Sequence, residues 1–244
     1  MKNIHFTSDS HMGHGNIIKY ANRLFAMNDT EREICISGDN KRYKELKLSQ
    51  ESIRKHDRIL IDNWNKAVKP DDDVYHLGDF CFGRTAYIHN ILNQLNGRIH
   101  LIYGNHDREI RENIELQERF AWCKEYYELE ITDSDSIRGR QLIILIHYAM
   151  RVWNKSHHGS WNFYGHSHSS LTDDPNAKSV DIGIDNIANL LSLNNIRLAE
   201  DYRPISYDEG KKLMNKKQWK PVDHHDSNST RNLDLPLPHN NYTK

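Results

Sequence analysis

The sequence predicts an α/β fold, an αββα sandwich of two sheets with helices outside, on three observations. Short apolar runs that read as buried strands recur along the chain: Ile4-His5-Phe6, Val74-Tyr75-His76-Leu77, Leu101-Ile102-Tyr103, residues 142–146 and Trp161-Asn162-Phe163-Tyr164. Helical spacing separates these runs in the first half, and the second half is dominated by strands.

Taken in order, residues 2–8 form the first strand, and 15–23 a helix or turn after it. Residues 27–49 are charged and weakly periodic, with Ser37-Gly38-Asp39-Asn40 as a turn, so they read as a surface insertion. Ile53, Ile59, Leu60, Ile61, Trp64, Ala67 and Val68 mark a helical face over 50–68, which Pro70-Asp71-Asp72-Asp73 ends. The strand before Asp79, a helix around 85–95 and a strand over 98–103 make a unit with the expected right-handed crossover. A helix near 107–119 follows, then strands over 126–131, 141–146, 161–164 and 179–184, and a last helix around 207–214. From residue 220 onward Pro221, Pro236 and Pro238 stand among polar residues with few core formers. Such a stretch cannot bury enough apolar surface to order itself. The division is therefore a domain over 1–219 and a flexible polar tail over 220–244, in which His224-His225 reads as linker.

The 244 residues suit one substantial domain. A formal net charge of −1 excludes the global basic surplus that drives binding to long nucleic acids. Three cysteines, Cys35, Cys81 and Cys123, make a poor disulfide framework and fit a reducing compartment. Cys81 reads as a small buried residue. With no signal-peptide pattern and no run of about 18 apolar residues, a soluble cytoplasmic protein is expected, without membrane or obligate protein partner. P-loop and G-x-S-x-G patterns are absent, so ATP-driven and serine-hydrolase chemistry lack their parts.

Polar side chains suited to metals follow each strand-like run: Asp9 and His11, Asp79, Asn105 and His106, His147, then His166 and His168. In layered α/β proteins the ligand site lies beyond the carboxyl ends of such strands, so these groups aim at one place. Asp, Asn and Gly are common turn formers, which accounts for any one motif but not for the ordered set. The series Asp9-Ser10-His11, Gly78-Asp79, Gly104-Asn105-His106-Asp107, His147 and Gly165-His166-Ser167-His168 resembles the calcineurin-like metallophosphoesterase superfamily, whose signature is D-x-H, G-D, G-N-H-[DE], a lone His and G-H-x-H. The blocks from Thr7 through His14 to Ile18, Tyr75 to Phe80 and Gly104 to Arg108 resemble its small bacterial and phage-type members. The resemblance covers roughly residues 2–215, leaves the tail unexplained, and implies the same sandwich, of the metallophosphoesterase type.

It also implies that Asp9, His11, Asp79 and His168 bind one metal, and Asp79, Asn105, His147 and His166 a second. Physical chemistry agrees: two cations about 3.5–4 Å apart neutralise a phosphoryl group and generate hydroxide, and that separation needs a bridging carboxylate, here Asp79. An extended Gly165-His166-Ser167-His168 segment would set its two imidazoles on one side. Imidazole, carboxylate and amide donors suit two divalent transition-metal ions, Mn2+ first, with Fe, Ni, Zn or Co compatible, and not Ca. His106 is the candidate to protonate the leaving oxygen or stabilise phosphoryl charge. In the protein-phosphatase branch that His pairs with an Asp three residues beyond the bridging one. Here Phe82 occupies the position, which counts against a protein phosphatase and leaves Asp107 or another carboxylate to orient His106.

His14, Arg84 and Arg108 are candidate substrate contacts, with Asn16, Arg151, His157 and His158 behind them. The expected activity is a metal-dependent phosphoesterase using metal-activated hydroxide, a phosphodiesterase on a nucleotide or other small accessible phosphoester. The alternatives are a nuclease acting on nucleic-acid ends, for which Lys41-Arg42-Tyr43-Lys44 could supply charge, and a non-catalytic metal-binding scaffold. Retention of all seven ligands and His106 weighs against the scaffold.

Overall fold

The computed structural model describes residues 3–136, 139–192, 194–220 and 222. Apart from Lys220 and Val222, the expected tail lies outside the described residues, His224 and His225 included. Strand β1 (Ile4–Thr7) is followed by α1 (Gly15–Tyr20), α2 (Asp29–Ile36), α3 (Asn40–Glu45) and α4 (Gln50–Ala67). Then come β2 (Asp73–His76), α5 (Thr85–Leu92), β3 (Arg98–Ile102), α6 (Arg108–Glu112), α7 (Ile114–Gln117) and β4 (Trp122–Lys124). The second half contains β5 (Tyr126–Thr132), β6 (Arg140–Ile146), β7 (Trp161–Tyr164), β8 (Ser179–Asp181), α8 (Ile184–Leu191), β9 (Ile205–Ser206) and α9 (Tyr207–Asn215). Among the described residues no helix is long and apolar enough to cross a membrane.

Two sheets form, in the orders β4-β3-β2-β1-β9 and β5-β6-β7-β8. Strands β1 to β4 are mutually parallel, as are β6, β7 and β8, while β9 and β5 run antiparallel at the edges. Phe6, Tyr75, Leu77 and Ile102 of one sheet meet Leu129, Ile143, Leu145, Phe163 and Val180 of the other in the core between them. A second core joins the outer face of the first sheet to its helices through Leu60, Trp64, Ile88, Ile91, Ile110 and Leu116.

The helix expected over 50–68 is α4. Ser49 caps it by accepting from the Ser52 N–H, and His56, Leu60 and Trp64, four residues apart, are buried along one face. Residues 27–49 form α2 and α3, and Met27 joins Ile17, Ile18 and Ala26 in a small core of their own. The helix expected near 107–119 is broken in two. Asn113 accepts from the N–H groups of Glu115 and Leu116, ending α6 and starting α7, since a short amide competes with helical backbone bonds. The strand expected over 179–184 stops at Asp181, and Ile184 opens α8. The alternation Val180, Ile182, Ile184 reads as strand, but the Asp181 carboxylate accepts from the Gly183 N–H at 2.7 Å and turns the chain.

The carboxyl ends of both sheets are tied to each other. Ser8, just past β1, bridges Gly183, just past β8, and its carbonyl accepts from the Ile184 N–H at 3.1 Å. Phe163 is fully buried where the sheets meet, edge-on to Phe6 with ring centroids 5.0 Å apart. Phe163→Ala is expected to lower unfolding free energy by about 3–5 kcal/mol, read by urea denaturation.

Candidate metal centre

The seven candidate ligands leave the ends of β1, β2, β3, β6 and β7, and five hold left-handed backbone: Asp9 (φ 58°), His11 (48°), Asp79 (55°), His166 (69°) and His168 (45°). Each such residue costs roughly 1–3 kcal/mol and persists where its surroundings over-determine it. The segment expected to be extended at 165–168 is instead a succession of left-handed turns continuing through Ser169 (66°). The two imidazoles consequently part company: His168 groups with Asp9 and His11, and His166 with Asp79 and His147.

One carboxylate oxygen stands between the groups. Asp79 Oδ2 is 3.4 Å from His11 Nε2 on one side and 3.5 Å from His147 Nε2 on the other. On the first side, Asp9 Oδ1 is 3.9 Å from both His11 Nε2 and His168 Nε2. On the second, Asn105 Oδ1 is 3.1 Å from His147 Nε2 and 3.0 Å from His166 Nδ1. Donors about 2.1 Å from a shared ion stand roughly 3.0–3.4 Å apart, so the spacing suits divalent ions. His11 is 2% exposed, yet neither ring nitrogen has a hydrogen-bond partner, and an ion on Nε2, the nitrogen that faces Asp9 and Asp79, would meet the need of that one.

The backbone around the ligands explains the motif glycines. A Cβ on Gly78 (φ 97°) would come within 2.5 Å of the Gly104 nitrogen and 2.6 Å of His147 Nδ1. One on Gly165 would collide with Ser8 Oγ and lie 2.5 Å from Asp9 Oδ2. Asp107, buried, accepts from the N–H groups of Asp79 (2.8 Å), Phe80 (2.9 Å) and Gly104 (2.8 Å). It therefore pins the Asp79 loop, and does not orient His106 as the sequence suggested.

Residues not anticipated from sequence hold the other side. Fully buried Arg23 donates to both Asp185 oxygens (2.9 and 2.7 Å) and to the carbonyls of Ser10 (2.9 Å) and Asp9 (2.7 Å). It also donates to His56 Nε2 (2.9 Å), whose Nδ1–H donates to Asp57. His168 Nδ1–H donates to Asp185 at 2.8 Å and His147 Nδ1–H to the Leu77 carbonyl at 2.7 Å, so in both rings Nε2 faces the centre. Asp185 stands just beyond a strand-like run, as the anticipated ligands do, and that placement was the available signal. Arg23 gave none.

Burial and charge set the proton states. Burial raises the Asp9 carboxyl to about 7 despite His168 and His147. Burial also opposes charge on His147, but the Asp79 hydrogen bond and the Asp9 and Asp79 charges outweigh it and raise the imidazole to about 9. For Asp185, burial is outweighed by Arg23 and His168, and the carboxyl is held far below the usual range. Burial and Arg23 keep His11 neutral, with its pKa well below normal.

His106 is exposed, its backbone N–H donates to Asp79 Oδ1 at 2.7 Å, and its ring lies 5.4 Å from that of His11. Phe82 sits 5.3 Å from the His106 ring and stacks on His14 at 4.0 Å. His14 is thus brought to the centre, lowered to about 4 by burial and His106 and so neutral near pH 7. Arg108 is instead paired with Glu112 at 2.8 Å, and Arg84 is exposed ahead of α5 with no hydrogen bond or ion pair to a candidate ligand among the described residues. Cys81 is buried, which pushes its thiol well above normal and keeps it protonated.

Two outcomes follow. Asp185→Asn leaves a weaker acceptor for His168 and is expected to reduce affinity at the Asp9/His11/His168 side by about 10–100-fold, read by metal titration. In the empty site Asp9 and His147 carry protons below about 7 and 9, so metal binding must displace them and tightens as pH rises. Calorimetry of Mn2+ binding near neutral pH in buffers of different ionisation enthalpy should give different apparent heats, and equal heats would contradict the assignment.

A family model described as the calcineurin-like phosphoesterase superfamily domain matches residues 55–183. Asp9 and His11 precede that span, and the geometry joins them to it. An uncharacterized protein of Methanocaldococcus jannaschii is 27% identical over 223 residues, covering 88% of this chain and 93% of its own. The gene 66 protein of Mycobacterium phage L5 is 26% identical over 219 residues, covering 80% and 93%. The crystal structure of a protein of unknown function from Aquifex aeolicus shares the fold, with a TM-score of 0.52, 20% identity, and coverage of 87% of this chain and 100% of that one. With the family model spanning more than half of the sequence and two His/Asp groups suited to divalent ions, the chain belongs to the calcineurin-like phosphoesterase superfamily, the metal-dependent phosphoester hydrolases.

Proposed function

We propose that the protein is a two-metal phosphodiesterase acting on a nucleotide or another small, accessible phosphoester, with Mn2+ as the working metal. The observation that carries this reading is Asp79 Oδ2, 3.4 and 3.5 Å from imidazole nitrogens that belong to two separate donor groups. Asp9, His11, Asp79 and His168 would hold one ion, and Asp79, Asn105, His147 and His166 the other. When bound, such ions supply Lewis-acid charge to the phosphoryl oxygens and activate water as the nucleophile.

The chain's own groups do the rest. Leu77 and Asp185 fix the tautomers of His147 and His168, so the nitrogen facing the centre is the one able to ligate. The backbone bond from His106 to Asp79 sets that residue beside the reacting group, and its ring has no hydrogen-bond partner among the described residues. It is free to meet a substrate oxygen, as proton donor to the leaving group or as a donor to the phosphoryl charge. Phe82 in place of a carboxylate leaves His106 oriented by packing alone, which favours a small substrate over a phosphoprotein.

The test is hydrolysis of bis-p-nitrophenyl phosphate against p-nitrophenyl phosphate by metal-stripped protein, with Mn2+, Ni2+, Zn2+ or Mg2+ restored. Diester cleavage that returns with metal and is abolished by Asp79→Asn is the expected result. His106→Ala should lose about 10²–10⁴-fold in turnover with metal content retained. Unchanged turnover in that variant would remove His106 from the mechanism, and cleavage of the monoester alone would make the protein a phosphatase.

A further inference from the structure

A cleft of about 350 Å3 that none of the steps above uses is built from the loops that carry the ligands. The chain leaves His147 into its lining residues Ala149, Arg151 and Trp153, enters His166 from Tyr164, and leaves His168 into Leu171. Ala149 and Tyr164 are each two residues from a candidate ligand, so their Cα atoms lie within about 7.6 Å of it. Tyr148, which adjoins Ala149 in sequence, has its ring 5.0 Å from that of His147 and 4.7 Å from that of His166.

Trp153, Tyr164 and Trp219 are the aromatic side chains of the lining, and Arg151, Lys178 and Lys220 stand in it with Asp173 and Asp174. Trp153 is 8% exposed and Tyr164 4%, whereas Trp219 is 47% exposed. The Trp153 indole N–H donates to the Ser160 carbonyl at 3.1 Å and the Trp219 N–H to that of Ser156 at 2.9 Å, so both rings are locked and need no ligand to satisfy their polar edges. Arg151 is exposed, with no hydrogen bond or ion pair among the described residues. One half-exposed indole, that of Trp219, in the same lining as the unpaired Arg151 guanidinium matches a ligand with one π-face and one anionic end. The volume is at the small end of the range for ligand cavities.

Resting on the phosphodiesterase reading, we infer that this cleft binds the nucleobase of a nucleotide substrate, stacked on Trp219, with Arg151 meeting phosphate charge on the path to the metal centre. An aliphatic ester would gain apolar contact from the exposed indole face but not base stacking.

The test titrates tryptophan fluorescence of the Mn2+-loaded full-length protein with AMP, GMP, CMP and UMP, and with ribose 5-phosphate as the probe without a base. Saturable quenching by at least one nucleotide and not by ribose 5-phosphate is expected. Trp219→Ala and Arg151→Ala should each weaken that nucleotide by about fivefold or more in calorimetric titration, which does not depend on the Trp219 signal, with metal content unchanged. Equal response to ribose 5-phosphate, no quenching by any nucleotide, or undiminished affinity in both variants would overturn the cleft while leaving metal-dependent diester hydrolysis standing. Base-dependent quenching in a protein inert toward every ester would support the cleft and overturn the hydrolase reading instead.

Discussion

Five carboxylates, those of Asp9, Asp79, Asp107, Asp181 and Asp185, are each no more than 4% exposed at the carboxyl ends of the two sheets, and one guanidinium, Arg23, is buried with them. Burying ionised groups is costly unless charge and hydrogen bonds compensate, so this end of the molecule requires further cations or protons. Without metal the compensation comes from protons, which is why Asp9 rises to about 7 and His147 to about 9. The donor spacing and the unpartnered His11 ring indicate that divalent ions are the compensation for which the site is built.

That requirement organises the fold around it. Left-handed backbone at five ligands is held by bonds from outside each turn: His166 N–H to the Asp9 carboxylate, Asp107 to the loop of Asp79, and Arg23 to the carbonyls of Asp9 and Ser10. The strain is local and its restraint is distributed, so the loops stay rigid while their side chains face inward. The apolar core between the sheets supplies the stability against which the strain is held, and the Ser8 to Gly183 bridge keeps the two sheet ends in register.

The same geometry separates two tasks. Asp79, Asn105 and the imidazoles make a rigid donor set, whereas His106, His14 and Phe82 form an adjoining wall in which His106 lacks a carboxylate partner. The loops leaving His147 and His168 both continue into the lining of the cleft that holds Trp153, Tyr164 and Trp219.

Much of this was legible in the sequence. Strand-like runs ending in Asp, Asn or His marked the strands whose carboxyl ends carry the site, because strand burial is written in local hydrophobicity and a site beyond strand ends follows from parallel topology. Helix α4 was readable from its periodicity, and the motif order sufficed to name the family. The family resemblance had already put His166 and His168 in different groups, as the structure does; tertiary structure alone showed the left-handed turns that part them where the spacing suggested an extended segment. It alone moved Asp107 from His106 to three backbone N–H groups, broke the helix at Asn113, and joined Arg23 to Asp185 across 162 positions. Periodicity reports which residues are buried. Which buried charges meet depends on how the two sheets close against each other, and no local pattern records that.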